Sequence, residues 1–171
     1  MNAFAPAMPI SFQPDTENTR LLRDAFGRFA TGVTIVTTGS DDGPVGITAN
    51  SFSSVSLEPP LVLWAPGKSS RRFKYFERAK NYAIHILGSD QAKLCETFAK
   101  NAFALNDADS DVNEFGVPLI RNCLARFECT RVACYEGGDH VIVLGQVNRA
   151  EMRDGDALGF FAGKLGQFAQ T

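Results

Sequence analysis

The residues of this sequence best equipped for chemistry lie in one stretch, Thr48-Ala49-Asn50-Ser51-Phe52-Ser53-Ser54-Val55-Ser56. Small hydroxyl and amide side chains make poor core, but they leave donors and acceptors free for a polar ligand lying along a strand end. A Ser/Thr-rich edge with no ligand has the same composition, so two readings stand side by side. The loop Gly67-Lys68-Ser69-Ser70 is a second candidate, because a cation, two hydroxyls and free amides converge there at the start of an expected helix. It is not a Walker loop, since Val62 stands where the first glycine is needed. Its bland alternative is a capped helix with a solvated lysine. A third candidate is His140, placed after Glu136-Gly137-Gly138-Asp139 at a strand start, where a barrel rim exposes it to a ligand. A turn histidine bonded to Asp139 is the competing role.

Other chemistries find little support. There is no paired-carboxylate or Ser-His-Asp pattern. Cys95, Cys123, Cys129 and Cys134 form no Cys-x-x-Cys pair, and with two histidines a metal cluster is not expected. Cys129 and Cys134 fall on opposite faces of one expected strand, and Cys123 lies roughly 20 Å from Cys129 along an extended chain, beyond disulfide reach. All four read as buried reduced thiols. Asp107-Ala108-Asp109-Ser110-Asp111 hints at a calcium loop, but Val112 replaces the required glycine and Pro118 the required glutamate. His85, between Ile84 and Ile86, reads as a hydrogen-bonded structural histidine.

These residues need a scaffold, and the patterning supplies one. Asp15 or Thr16 is expected to cap a first helix ending at Gly32, with Leu22, Ala25, Phe26, Phe29 and Ala30 on one stripe. Val33 to Thr38 is β-branched and reads as a strand, joined through the turn Gly39 to Pro44 to a partner at Val45 to Ala49. Leu61 to Trp64 is another strand. A helix capped by Ser69 or Ser70 turns Phe73, Phe76 and Ala79 inward. Tyr82 to Leu87 is a strand, and Gln91 to Lys100 is an amphipathic helix carrying Leu94, Cys95 and Phe98. Asn101 to Pro118 reads as an irregular acidic loop near a site mouth. Leu124 to Tyr135 and His140 to Val147 form a hairpin, and Ala157 to Leu165 follows. Hairpin spacing without strand-helix-strand repeats predicts a mainly β protein with peripheral helices, folded as an antiparallel barrel.

Length and charge bound the rest. The chain has 171 residues, 44% of them hydrophobic, which suits one domain with a real core. A net charge of -2 argues against a nucleic-acid surface. Fourteen Phe against one Trp suit a core or a flat-ring pocket. Residues 1–14 hold three prolines and no basic residue, so neither a signal peptide nor a membrane span is expected, and a soluble cytoplasmic protein is the default.

Three segments in register resemble the flavin reductase-like family, the reductase components of two-component flavin monooxygenases. They are Gly32-Val33-Thr34-Ile35-Val36-Thr37-Thr38, Thr48 to Ser56 with Pro59-Pro60, and Gly138-Asp139-His140. The likeness covers about residues 18 to 168, leaving residues 1–17 as an N-terminal arm before a domain at 18–171. It implies a split FMN-binding barrel, a homodimer, NADH or NADPH as co-substrate, and FMN, with FAD possible, as the flavin. By the same resemblance Thr48, Ala49, Asn50 and Ser51 run beside the isoalloxazine edge. Ser53, Ser54, Lys68, Ser69 and Ser70 hold the ribityl chain and phosphate, and His140 helps place the nicotinamide. Lys164 stands where relatives carry a basic residue followed by an aromatic, and Leu165 departs from that pattern. A non-enzymatic FMN-binding electron-transfer barrel is the rival reading.

Overall fold

The computed structural model describes residues 8–105 and 110–169. In chain order the elements begin with α1 (Thr19–Phe26), β1 (Thr31–Gly32), β2 (Thr34–Thr38), β3 (Val45–Ala49), β4 (Ser53–Leu57) and β5 (Pro60–Trp64). Next come α2 (Phe73–Arg78), β6 (Asn81–Ile86), α3 (Ala92–Lys100), β7 (Ser110–Val112) and β8 (Pro118–Ile120). The chain closes with β9 (Ala125–Gly137), β10 (His140–Met152), β11 (Ala157–Phe161) and β12 (Lys164–Phe168).

Seven strands form one antiparallel sheet in the order β3-β2-β6-β9-β10-β5-β4. Its two outermost strands, β3 and β4, are also consecutive in sequence. Residues 50–52 alone join them, a link that reaches at most about 14 Å when fully extended. The sheet must therefore curl until its outer strands approach each other, yet they do not pair. The result is a barrel left open along one seam, with Asn50, Ser51 and Phe52 at the opening.

The barrel interior is filled by Val36, Val45, Ile47, Val62, Trp64, Phe76, Tyr82, Ile84, Cys129 and Val143. Trp64 meets Phe76 edge-on at 5.2 Å. Gly145 leaves room for the Tyr82 phenol, because a Cβ there would stand 2.0 Å from the Tyr82 oxygen. A second cluster, around Ile35, Leu87, Phe98 and Leu158, packs α3 and the small β1-β11-β12 sheet against the outside of the barrel. His85 is fully buried between the layers: one ring nitrogen meets the Ile35 carbonyl at 3.0 Å, and the other accepts the Ile120 amide at 3.0 Å. Burial pushes its pKa down to about 3, so the ring is neutral, in the structural role expected of it.

Several expectations are corrected. The first helix starts at Thr19 and gives way at Gly27, because Asp15 and Asn18 tie a turn before it and the chain must straighten into β1. Its stripe is not core: Phe26 is 69% exposed and Phe29 77%. The helix after Ser69-Ser70 begins only at Phe73, since Ser70 spends its hydroxyl and carbonyl on the turn before it. Phe76 is buried there, and Phe73 and Ala79 are half-buried. The loop after α3 is not wholly irregular, because β7 pairs with β8. Residues 106–109, and with them most of the Asp107 to Asp111 acidic run, lie outside the described residues. Cys95, Cys123 and Cys129 are buried free thiols, but Cys134 is exposed near the end of β9, where the ribbon has left the core. Ala157 to Leu165 is two strands, divided by a turn at Ala162 and Gly163.

Candidate flavin and nicotinamide site

Strand alternation decides what β3 presents. Val45, Ile47 and Ala49 point into the barrel, so Gly46, Thr48 and Asn50 point outward toward α3. The Phe98 ring lies so close to Gly46 that a Cβ there would meet it at 2.4 Å, which seats the helix tightly on the strand. Where α3 and the strand diverge, a cavity of about 330 Å³ opens. Thr48, Ala49 and Asn50 form its floor with Val33; Cys95, Glu96 and Ala99 of α3 form one wall, and Phe160 and Leu165 the other. The side chains of Thr48 and Asn50 make no hydrogen bond among the described residues. Unspent polar groups along one edge of a slot that is otherwise apolar apart from Glu96 suit a flat heterocycle with a polar rim.

Ser51 turns the corner out of this floor. Its hydroxyl donates to the Ala65 carbonyl at 3.2 Å and accepts the Ala65 amide at 2.9 Å, pinning the seam to the loop that follows β5. Phe52 stacks on Phe127 at 5.6 Å, anchoring the other side of the corner in the core. Beyond it Ser53 and Ser54 lie exposed on β4. Ser53 donates to the Ser54 carbonyl at 3.1 Å.

The loop 65–70 runs beside the tip of the β9–β10 hairpin. Val141 donates its amide to Pro66, and Lys68 donates its own to Asp139. Gly138, at φ 72°, makes the tight turn that such a two-residue connection requires. The two sequence candidates, Gly67 to Ser70 and Gly138 to His140, are thereby parts of one rim. The His140 ring lies over Gly67, where a Cβ would stand 3.3 Å from Nε2. Its Nδ1 meets the Asp139 carboxylate at 2.8 Å, and this contact holds the Asp139 carboxyl below its usual range. Lys68 turns its ammonium onto Glu136 and onto the Gly138 carbonyl at 2.7 Å. Ser69 is exposed and its hydroxyl makes no hydrogen bond among the described residues.

Arg72 links this rim to the cavity, donating to the carbonyl of Ala99 at 3.2 Å. Thr48 to Ser51, the loop 65–72 and the end of α3 thus border one region. Lys164 does not line the cavity; its neighbour Leu165 does. A separate cavity of about 400 Å³ between α2 and the hairpin is lined by Phe73, Phe76, Cys134 and Glu136 among others, but by none of the residues expected to bind flavin or nicotinamide. No cluster able to hold a metal ion occurs among the described residues.

Residues 26–169 match the flavin reductase like domain. The chain belongs to the flavin reductase-like family. FMN reductase (NADH) SmoA of Agrobacterium fabrum is 51% identical over 93% of this chain and 91% of its own length. The reductase subunit HsaB of a flavin-dependent monooxygenase from Rhodococcus jostii is 35% identical, covering 85% of this chain and 75% of that one. The NADH:FAD oxidoreductase SgcE6 of Streptomyces globisporus superposes with a TM-score of 0.85 at 37% identity, covering 95% of this chain and 99% of that one. The flavin reductase-like fold is thus the open-seamed barrel described above.

Sequence reading missed the wall of the cavity that α3 supplies, and Arg72, which reaches the carbonyl of Ala99 in that wall. Cys95 and Ala99 share a helix face with Glu96 beside them, a spacing indistinguishable from ordinary amphipathic packing. Arg71 and Arg72 did leave a signal, in the local concentration of positive charge that follows Lys68.

Proposed function

We propose that this chain is an NADH-dependent flavin reductase that passes a hydride from the nicotinamide to FMN or FAD and supplies the reduced flavin to a partner monooxygenase. The observation that carries this reading is the slot beside Thr48, Ala49 and Asn50, with free polar groups on one edge and flanking walls that are apolar apart from Glu96. It gains support from SmoA and SgcE6, whose names give them this activity. When bound, the flavin supplies a two-electron acceptor at N5, and the dihydronicotinamide supplies hydride from C4.

What the chain contributes is placement. Thr48, Asn50 and the backbone amides near Ser51 meet the polar edge of the ring, where negative charge grows on reduction. Val33, Phe160 and Leu165 keep water from its apolar side. His140, on the exposed rim over Gly67, orients the nicotinamide. Hydride transfer between stacked rings demands alignment and a dry contact more than a proton relay, and among the described residues Glu96 is the one carboxylate lining the slot. Ser53, Ser54, Ser69 and Ser70 provide hydroxyls for the ribityl chain and phosphate, and Lys164 lies on the neighbouring strand. The protein acts as a cytoplasmic homodimer. NADH oxidation that requires added FMN or FAD tests the reading, and purified protein that neither takes up flavin nor oxidises NADH in its presence would overturn it.

A further inference from the structure

Among the described residues that line the slot, Glu96 is the one that carries a full charge. It stands on α3, in the wall beside the uncharged floor of Thr48 and Asn50. Its side chain is exposed and makes no hydrogen bond or ion pair among the described residues. Lys93 and Lys100 share its helix, but neither pairs with it. Arg72 reaches the same wall and spends its guanidinium on the Ala99 carbonyl instead. The carboxylate is thus left without a counter-ion. Its influence extends into the wall: burial first, and Glu96 second, raise the pKa of the neighbouring Cys95 thiol. That thiol stays neutral, so nothing else in the slot lining adds to the charge of Glu96 or offsets it.

A fixed negative charge beside a flavin slot distinguishes the two states of its ligand. The isoalloxazine ring is neutral when oxidised. A hydride brings it two electrons and one proton, so the ring becomes an anion until solvent protonates it, and the nicotinamide leaves as a cation. Neutral donors on the floor stabilise the new charge, whereas a carboxylate in the wall opposes it. A slot of about 330 Å³ keeps a ring lodged in it inside the Debye length, about 8 Å at physiological salt, so the repulsion survives screening. A flavin phosphate meets the same charge in both states and cancels from their comparison. We propose that Glu96 is a specificity-determining residue that weakens the hold of the slot on reduced flavin relative to oxidised flavin, and so sets how readily the reduced product leaves. The inference rests on the flavin reductase reading of the slot.

The test compares the unmodified protein with Glu96→Gln, which keeps the size of the side chain and removes its charge, and with Glu96→Lys, which reverses the charge. Oxidised FMN and FAD are titrated by fluorescence quenching, and the flavin bound more tightly is carried forward. Its midpoint potential on the protein is measured anaerobically against reference dyes, and the thermodynamic cycle then gives the dissociation constant of the reduced form. In Glu96→Gln the ratio of reduced to oxidised dissociation constants is expected to fall about tenfold, the scale of a like-charge repulsion at close range in a partly open site. For a two-electron couple that raises the potential of the bound flavin by about 30 mV. Glu96→Lys should raise it further, and added salt should narrow the gap between the unmodified protein and both variants. An unchanged potential overturns the proposal, and so does a fall in either variant. Equal loss of affinity in both redox states also overturns it, because Glu96 would then be a plain hydrogen-bonding partner. If the unmodified protein takes up neither flavin, the flavin reductase reading fails and the inference falls with it; flavin bound with a potential indifferent to residue 96 overturns the inference alone.

Discussion

At the scale of single residues, the rim histidine is held from two sides: Asp139 orients Nδ1 and Gly67 leaves space under Nε2. Replacing His140 by Ala is expected to lower kcat/KM for NADH by about 10- to 100-fold while FMN affinity changes far less, since misplaced reactants lose rate before they lose binding. Stopped-flow reduction and flavin titration check the split, and equal losses would remove the nicotinamide role. Gly145 sits under the Tyr82 phenol, whose burial raises its pKa. A methyl group there overpacks the barrel, so Gly145→Ala should cost about 1–3 kcal/mol in chemical denaturation. Buried His85 gives stability a pH dependence with a definite sign. Its folded pKa, about 3, lies below the unfolded value of 6.5. The stability contribution is complete above pH 6.5 and drains away as pH falls toward 3, by at most about 1.4 kcal/mol per pH unit. His85→Gln should flatten that part of the stability profile measured by urea titration at successive pH values.

At the scale of elements, the Ser51 hydroxyl is the hinge pin between the seam and the loop that follows β5. Ser51→Ala leaves the Ala65 amide without its partner and should destabilise the fold by about 1–3 kcal/mol. Because the same corner carries Asn50, flavin affinity should fall with it, which titration checks; unchanged stability and affinity would mean that the contact is idle. Which elements sequence could reveal follows from which forces are local. β2 and β3 were legible, since β-branched runs and a Gly-rich turn write the hairpin into neighbouring residues. The long hairpin carrying His140 was legible for the same reason. The first helix was misjudged because its Leu and Phe stripe implies burial, while nothing in a sequence says what lies opposite it. Ser70 caps no helix because its hydroxyl and carbonyl serve a turn first, and the Ser69 hydroxyl makes no hydrogen bond among the described residues. At the candidate site, sequence points to Thr48 to Ser51 and Gly138 to His140 as expectations, but not to the slot wall from α3, which depends on a distant helix settling onto Gly46. Nor could sequence show that Lys68 would be claimed by Glu136, some 70 residues away in the chain.

The whole molecule leaves apolar surface without a partner: Phe26 and Phe29 at the end of the first helix, and Val55 and Leu57, the latter 95% exposed, on β4. Burial of such side chains is the ordinary driving force for association. The protein is expected to run as a dimer in light scattering coupled to gel filtration, and Phe26→Glu with Phe29→Glu should shift it toward monomer. A further consequence belongs to the unpaired seam between β3 and β4. A cylinder slit lengthwise twists easily, whereas one bridged across the slit resists torsion. A planar guest lodged against Thr48 to Ser51 would act as that bridge, so loading the protein should stiffen the entire wall. The amides of residues 45–57 would then trade hydrogen for deuterium more slowly, including those that never touch the guest.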